Sequence, residues 1–338
     1  MRRHVTAVTI VLILAHFPNS ILTSQQPPAS PARPVHTFSI VARDAATGEL
    51  GVAVQSHWFA VGTVVPWAEA GVGAVATQSF VDPSYGRQGL ELMRQGRSAP
   101  DALKELLTRD RGRDVRQVAM IDAQGRVAAH TGTKNIQSAG HHIGANFSTQ
   151  ANLMASDAIW PAMARAFETA KGDLADRMMA ALNAAQAAGG DARGKQSAAL
   201  VVVAGQSTGK PWVDRVFDLR VDDSVDPLKE LSRLMVLQRA YNHMNAGDLA
   251  VEAKDNARAL REYSAAAALA PGNLEMVYWH AVALVNMGRV NESLPLFRRV
   301  FAADRNWIAL TSRIAAAGLL PADRKLMDTI AAQGQTGK

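Results

Sequence analysis

From residue 37 the chain alternates as half-buried strands do. Thr37-Phe38-Ser39-Ile40-Val41-Ala42-Arg43 puts apolar and small polar side chains on opposite faces of an extended segment. Asp44 to Gly48 supplies a turn and Glu49 to Gln55 returns, so a hairpin is predicted. Gly62 to Glu69 and Gly71 to Gln78 predict a second hairpin, and Gly71, Gly73, Ala74 and Ala76 suit strands pressed against another layer. The period then becomes helical. Ser84 to Gln95 and Ser98 to Thr108 open on serines of N-cap type and carry apolar residues at helical spacing. Val115 to Asp122 and Arg126 to Thr131 read as a hairpin turning at Ala123-Gln124-Gly125, and the Gly- and His-containing stretch that follows reads as irregular. Ser156 to Lys171 and Asp173 to Ala188 predict two amphipathic helices; Ser197 to Ala204 and Val213 to Val221 predict two last strands. This order suits two antiparallel sheets with helices outside better than a parallel βαβ fold.

From Pro227 the pattern is helical to the end, and it repeats. Gly247, Ala259, Tyr263, Ala266 and Pro271 recur 34 residues later as Ala281, Ser293, Phe297, Val300 and Arg305. The period and the small and aromatic positions resemble tetratricopeptide repeats, with Arg305 standing where the pattern has Pro. Such a solenoid is expected to bind a protein partner or to self-associate, or else to serve as a helical cap that stabilises the rest.

The N-terminal end reads differently. Arg2, Arg3 and His4 precede an apolar run from Val5 to Ala15, too short for a membrane span but suited to an export signal over 1–24. Residues 25–36 carry prolines at 27, 28, 31 and 34 and read as an extended linker. The expected organisation is therefore signal (1–24), linker (25–36), mixed domain (37–226) and helical domain (227–334). The expected location is periplasmic or secreted, with membrane attachment only through an uncleaved signal.

The chain has 338 residues, a formal charge of +6 and no Cys, which excludes disulfides, thiolate metal sites and Cys nucleophiles. Its basic residues are scattered among acidic ones, so nucleic acid is not an expected partner. His130 and His141-His142 lack metal-ligand spacing. No Gly-rich phosphate loop or Gly-x-Ser-x-Gly elbow is present, and no cofactor or metal is expected.

Thr37, opening the first strand directly after the linker, is the leading chemical candidate. If the chain were trimmed there, one residue would carry both a nucleophilic hydroxyl and a base, its α-amine, which titrates near pH ~8. The plain alternative is a threonine that starts an ordinary strand. Gln78 and Asn152 are amide donors of the type an oxyanion needs, or else they anchor loops. Asp191 and Arg193, in Gly189-Gly190-Asp191-Ala192-Arg193-Gly194, either position a substrate or pair with each other across a turn. Ser56, Gln196 and Ser197 are further positioning candidates, whereas His57 reads as a packed or exposed histidine. Asp82 reads as a turn and helix-cap residue.

Several segments also resemble a known bacterial family. They are Thr37 to Asp44, Gly48 to Val54, Ala70 to Gln78, Pro83 to Gly86, Gly189 to Leu200 and Asp218 to Asp223. They are similar to the domain of unknown function 1028, assigned to the N-terminal-nucleophile (Ntn) hydrolase superfamily. The resemblance implies an α+β fold, a four-layer αββα sandwich, with Thr37 as nucleophile in a cleft between the sheets. Relatives usually carry Gly where Ala151 stands and often His where Ser224 stands, so those corners depart from the pattern. The resulting expectation is an exported amide hydrolase acting on a small amide or peptide-like substrate. The alternative is a catalytically silent scaffold that works through its helical repeats.

Overall fold

The computed structural model describes residues 35–335. The expected signal and the linker up to residue 34 lie outside the described residues. Two antiparallel sheets form the first part of the chain. The larger contains β1 (Thr37–Arg43), β2 (Leu50–Ser56), β7 (Gly140–Gly144), β8 (Phe147–Ala151), β9 (Ser197–Val203) and β10 (Arg215–Val221) in the order β10-β9-β2-β1-β8-β7. The smaller contains β3 (Pro66–Glu69), β4 (Gly73–Ser79), β5 (Arg116–Asp122) and β6 (Val127–Thr131) in sequence order.

Strand alternation decides what each face meets. On β1, Phe38, Ile40 and Ala42 join Met163, Phe167, Met178 and Leu182 in one buried cluster. Those four partners lie on α3 (Ile159–Thr169) and α4 (Leu174–Ala187). On the opposite face Val41 joins Val52, Val54, Ala74, Ala76, Ala119 and Ile121, a cluster that draws on both sheets. The outer residues Val75, Val118 and Met120 pack against α1 (Ser84–Arg94) and α2 (Ala99–Arg109) through Leu90, Met93 and Leu103. Ser98 caps α2 by accepting from the Asp101 N–H at 3.1 Å. At α1 the capping hydroxyl expected of Ser84 is absent: Pro83 occupies the cap, and Asp82 Oδ1 accepts the Ser84 N–H at 3.0 Å.

Two segments differ from the sequence reading. Gly62 to Glu69 is a strand only from Pro66. Before it the chain forms a 3₁₀ turn over Val61–Thr63, where the Val64 and Val65 amides bond back to the Val61 carbonyl instead of to a neighbouring strand. The stretch read as irregular after Thr131 contains the β7–β8 hairpin. β8 is wholly buried yet reads Phe-Ser-Thr-Gln-Ala, because part of what it faces is polar. Apolar periodicity has nothing to detect there.

The tail begins with α5 (Pro227–Glu252), followed by α6 (Asn256–Leu269), α7 (Leu274–Asn286), α8 (Val290–Ala303), α9 (Asn306–Ala316) and α10 (Arg324–Ala332). The repeat positions explain themselves. A Cβ on Gly247 would come within 2.6 Å of the Tyr263 ring, so glycine lets α6 approach α5 closely. Tyr278 and Phe297 cross edge-on at 5.8 Å to close the α7–α8 pair.

Candidate functional site

Thr37 starts β1 at one end of the sheets. It is completely buried, and its hydroxyl donates to the Val35 carbonyl at 2.9 Å. Its register partner on β2 is Ser56, and the neighbouring pairs Phe38–Ala151 and Ser39–Gln150 bring in the end of β8. On the facing sheet Gln78 pairs with Gln117, and Gln117 with Thr131. Polar residues from six strands therefore meet at this end.

They form one connected network. Gln117 is its hub: the two protons of its Nε2 are shared among Thr131 Oγ1 (2.9 Å) and the carbonyls of Ala151 (2.8 Å) and Gly140 (3.1 Å). Its Oε1 accepts from Gln78 Nε2 at 2.7 Å and from Asn152 Nδ2 at 2.9 Å. Ser39 donates to Gln78 Oε1 at 2.6 Å and accepts from Gln150 Nε2 at 2.6 Å. Gln117, Gln78, Asn152, Ser39 and Gln150 are fully buried, and Thr131 is partly buried. A buried network in which each amide faces a partner holds one arrangement and resists rearrangement.

Two backbone carbonyls lie at its centre. The Thr37 carbonyl receives the Asn152 backbone N–H at 3.1 Å and Gln78 Nε2 at 3.2 Å, with Asn152 Nδ2 at 3.5 Å. The preceding His36 carbonyl, which belongs to the His36–Thr37 bond, receives a hydrogen bond from the Ser56 hydroxyl and another from Arg193 Nη2 at 2.9 Å. Gln78 and Asn152 thus converge on Thr37 itself, while Ser56 and Arg193 hold the carbonyl before it.

Arg193 is aimed by Asp191. The pair is joined at 2.7 Å and reinforced by the Arg193 Nε and backbone N–H, which both reach Asp191 Oδ1. Asp191 Oδ2 also accepts the His57 backbone N–H at 3.1 Å. The mutual pair and the contact beside Thr37 therefore coexist. Gln196 and Ser197 stand apart. Ser197 donates to the Trp58 carbonyl and accepts the Val61 N–H, while Gln196 Nε2 reaches Asp223. Both pin the chain around β9 without touching Thr37.

The two residues before Thr37 are seated in the site. Val35 exchanges a pair of backbone hydrogen bonds with Ser79 (2.6 and 2.9 Å). His36 is 4 % exposed, and its Nδ1 lies 3.0 Å from Asn152 Oδ1. Asn152 Nδ2 is committed to donating to Gln117, so Oδ1 is the acceptor and His36 Nδ1 carries the proton. Burial pushes the His36 pKa below its ordinary value, as does the nearby Arg193 charge, against opposing pulls from the Asn152 hydrogen bond and Asp191. His141, which bonds Thr131 Oγ1 at 2.9 Å, is likewise held low by burial. A polar hollow of about 540 Å³ opens beside Thr131 and His141. Among the described residues no three His, Asp or Glu side chains are grouped to hold a metal ion.

Gln117, Ser39, Gln150 and His36 escaped the sequence reading. Gln117 carried a faint signal, a lone amide heading the apolar run Val118 to Ile121. His36 fell inside the Pro-rich segment and looked like linker.

Residues 37–231 match the family described as "Family of unknown function (DUF1028)". The chain belongs to that family. The match begins at Thr37 and runs into the first turn and a half of α5. A separate match to the tetratricopeptide repeat covers residues 250–316. A crystal structure of a DUF1028 protein from Silicibacter pomeroyi is similar at 30% identity with a TM-score of 0.53, covering 59% of this chain and 88% of that one. No curated protein matches the chain.

Proposed function

We propose that this DUF1028 protein is an exported amide hydrolase of the Ntn type, with Thr37 as its nucleophile once residues 1–36 have been removed. One observation carries the reading: the carbonyl of the His36–Thr37 bond is held by two donors, Ser56 and Arg193, directly beside a buried hydroxyl. Donors fixed on a carbonyl oxygen are what stabilises the oxyanion when a hydroxyl attacks the adjacent carbon. In the intact chain the Thr37 nitrogen is an amide and cannot act as a base. After cleavage it becomes an amine, which takes the proton of the Thr37 hydroxyl as that oxygen attacks the substrate carbonyl. The same proton passes to the leaving amine, and water then releases the acyl group as a carboxylic acid. Gln78 and Asn152 keep the Thr37 backbone in place, and Asp191 keeps Arg193 aimed.

The test is the N-terminus of protein recovered from an exporting host, read by intact mass and Edman sequencing. A chain that starts at Thr37 and hydrolyses amides, with both processing and turnover examined in Thr37→Ala, supports the reading. A chain that starts upstream of Val35 overturns it.

The tail favours a second role alongside this. A hollow of about 600 Å³ between its helices is lined by Tyr241, Tyr263 and Trp279 and by Asp248, Glu252 and Glu275. Aromatic faces beside carboxylates suit a protein segment bearing Lys or Arg. A pull-down that loses its partners on deletion of 253–338 checks it. Cutting at 227 instead would strip Leu228, Leu231 and Met235 from the core beside β1.

A further inference from the structure

If Thr37 is the nucleophile, the residues now attached to its nitrogen describe the acyl group it would carry on its oxygen. An acyl amide on the nitrogen and an acyl ester on the hydroxyl hang from the same residue in the same buried pocket. Thr37 is wholly enclosed, and the path leading to it that the structure shows is the one occupied by Val35 and His36. The seat of Val35–His36 is therefore the seat of the substrate's acyl half. This deepens the hydrolase reading and rests on it.

The seat has three recognisable parts. At the carbonyl, Ser56 and Arg193 donate. At the first side chain the pocket presents an acceptor, Asn152 Oδ1, whose orientation is dictated by the amide's other bond to Gln117. A side chain with an N–H donor matches that acceptor, and a carboxylate opposes it. One residue further out, the Ser79 N–H and carbonyl pair with Val35 as a neighbouring strand would, which requires an extended peptide backbone rather than a bare fatty or aryl acyl chain. Ser79 is held at φ +70° to present these groups, and its buried Oγ has no partner among the described residues. Backbone groups left open there would be costly once the leader is gone unless a ligand strand replaces it.

We propose that the substrate is a peptidyl amide. Its acyl residue carries a neutral side-chain N–H donor, an imidazole fitting best, and is preceded by a small apolar residue that pairs in extended form with Ser79. The step breaks the C–N bond on the carboxyl side of the acyl residue. The acyl carbon bonds first to Thr37 Oγ and then to water, and the leaving amine departs with the proton taken from the hydroxyl. Val35 and His36 then serve as a covalently attached substrate mimic that fills the site until it is removed.

The test uses chains that begin at position 37. Among the described residues, all ten strands and ten helices lie at or beyond Thr37, and the family match starts there, so these elements are retained. Cooperative thermal unfolding checks this for each preparation. First, kcat/KM is compared for acetyl-Val-His, acetyl-Val-Ala and acetyl-Val-Asp coumarylamides. The expected order is His above Ala by at least about tenfold, the discrimination one buried hydrogen bond supplies, with Asp lowest. In Asn152→Ala the His-to-Ala ratio falls toward one. Second, the Thr37→Ala chain with the same start is titrated with the three corresponding peptide amides by calorimetry. It is expected to bind the His peptide at least about tenfold tighter than the Ala peptide. Selective binding without any hydrolysis by the Thr37 chain supports the imprint and overturns the hydrolase reading. Equal affinity for all three peptides, or no binding to a folded chain, overturns the imprint whatever the activity.

Discussion

Replacing Gln117 by leucine keeps the side-chain volume close to constant while removing both halves of its amide. Two donors, from Gln78 and Asn152, end at its oxygen, and its two N–H protons are shared among Thr131, Gly140 and Ala151. At a net worth of about 1 kcal/mol each, four hydrogen bonds sum to about 4 kcal/mol. Leucine returns roughly 1–2 kcal/mol through extra apolar burial, so Gln117→Leu should destabilise by about 2–3 kcal/mol. Gln117→Glu should do comparable damage at pH 7, because it sets an oxygen against the Gly140 and Ala151 carbonyls. The assay is urea unfolding followed by far-UV circular dichroism, with the m-value checked for constancy. The corresponding fall in Tm is roughly 4–12 °C for a domain of this size. A loss below about 1 kcal/mol in both variants would refute the view that the network holds this end of the sheets together.

Other outcomes follow from the same geometry. Arg193→Ala removes the cation paired with a fully buried carboxylate and should cost about 3–5 kcal/mol by chemical denaturation; a loss within error would mean Asp191 is satisfied without it. The seated His36 resists protonation because burial lowers its pKa, whereas released His36 protonates near 6.5. The seat is therefore fully stable above that pH and weakens as pH falls below it, by up to about 1.4 kcal/mol per unit. Amide exchange at Val35 and Thr37, corrected for its intrinsic pH dependence, should speed up between pH 6.5 and 5 and stay flat in His36→Asn. A Cβ on Gly86 would lie 2.2 Å from the Trp67 ring, so Gly86→Ala should cost about 1–3 kcal/mol through overpacking, read by thermal melts. Tyr278 is fully buried and its ring lies 4.7 Å from that of Trp307, so Tyr278→Ala should cost the tail about 3–5 kcal/mol while leaving the near-ultraviolet signal of the sheets intact.

Most of the fold was readable because its strands and helices bury ordinary apolar stripes. β1, β2, β5, β6 and β9 lie within two residues of where alternation puts them, and α2 begins where Ser98 caps it. The β7–β8 hairpin was not readable, and the reason is instructive: Ser148 and Gln150 are buried for hydrogen bonding, so their strand lacks the pattern that burial usually leaves. The candidate site was legible as a set of residue types. Thr37, Gln78, Asn152, Ser56, Asp191 and Arg193 do meet: Thr37 starts β1, Ser56 and Gln78 lie at the ends of β2 and β4, Asn152 follows β8, and Asp191 and Arg193 lead into β9. Which carbonyl each one holds depends on register and side-chain direction across five strands, and no local pattern encodes that. Gln196 and Ser197 adjoin β9 in sequence yet point into other contacts.

α5 is a single 26-residue helix whose two halves belong to different interiors. Leu228, Leu231 and Met235 pack with the sheet and helices beside β1, and Ala240, Met244 and Ala250 pack with the first repeat. An unbroken helix transmits rotation as an axle does. The tail hollow is thereby indexed to the Thr37 end of the sheets at one angle. One residue inserted between Val236 and Arg239 would turn the tail by about 100° and advance it by about 1.5 Å, with both interiors left whole. The tail hollow would then face a different side of the sheets.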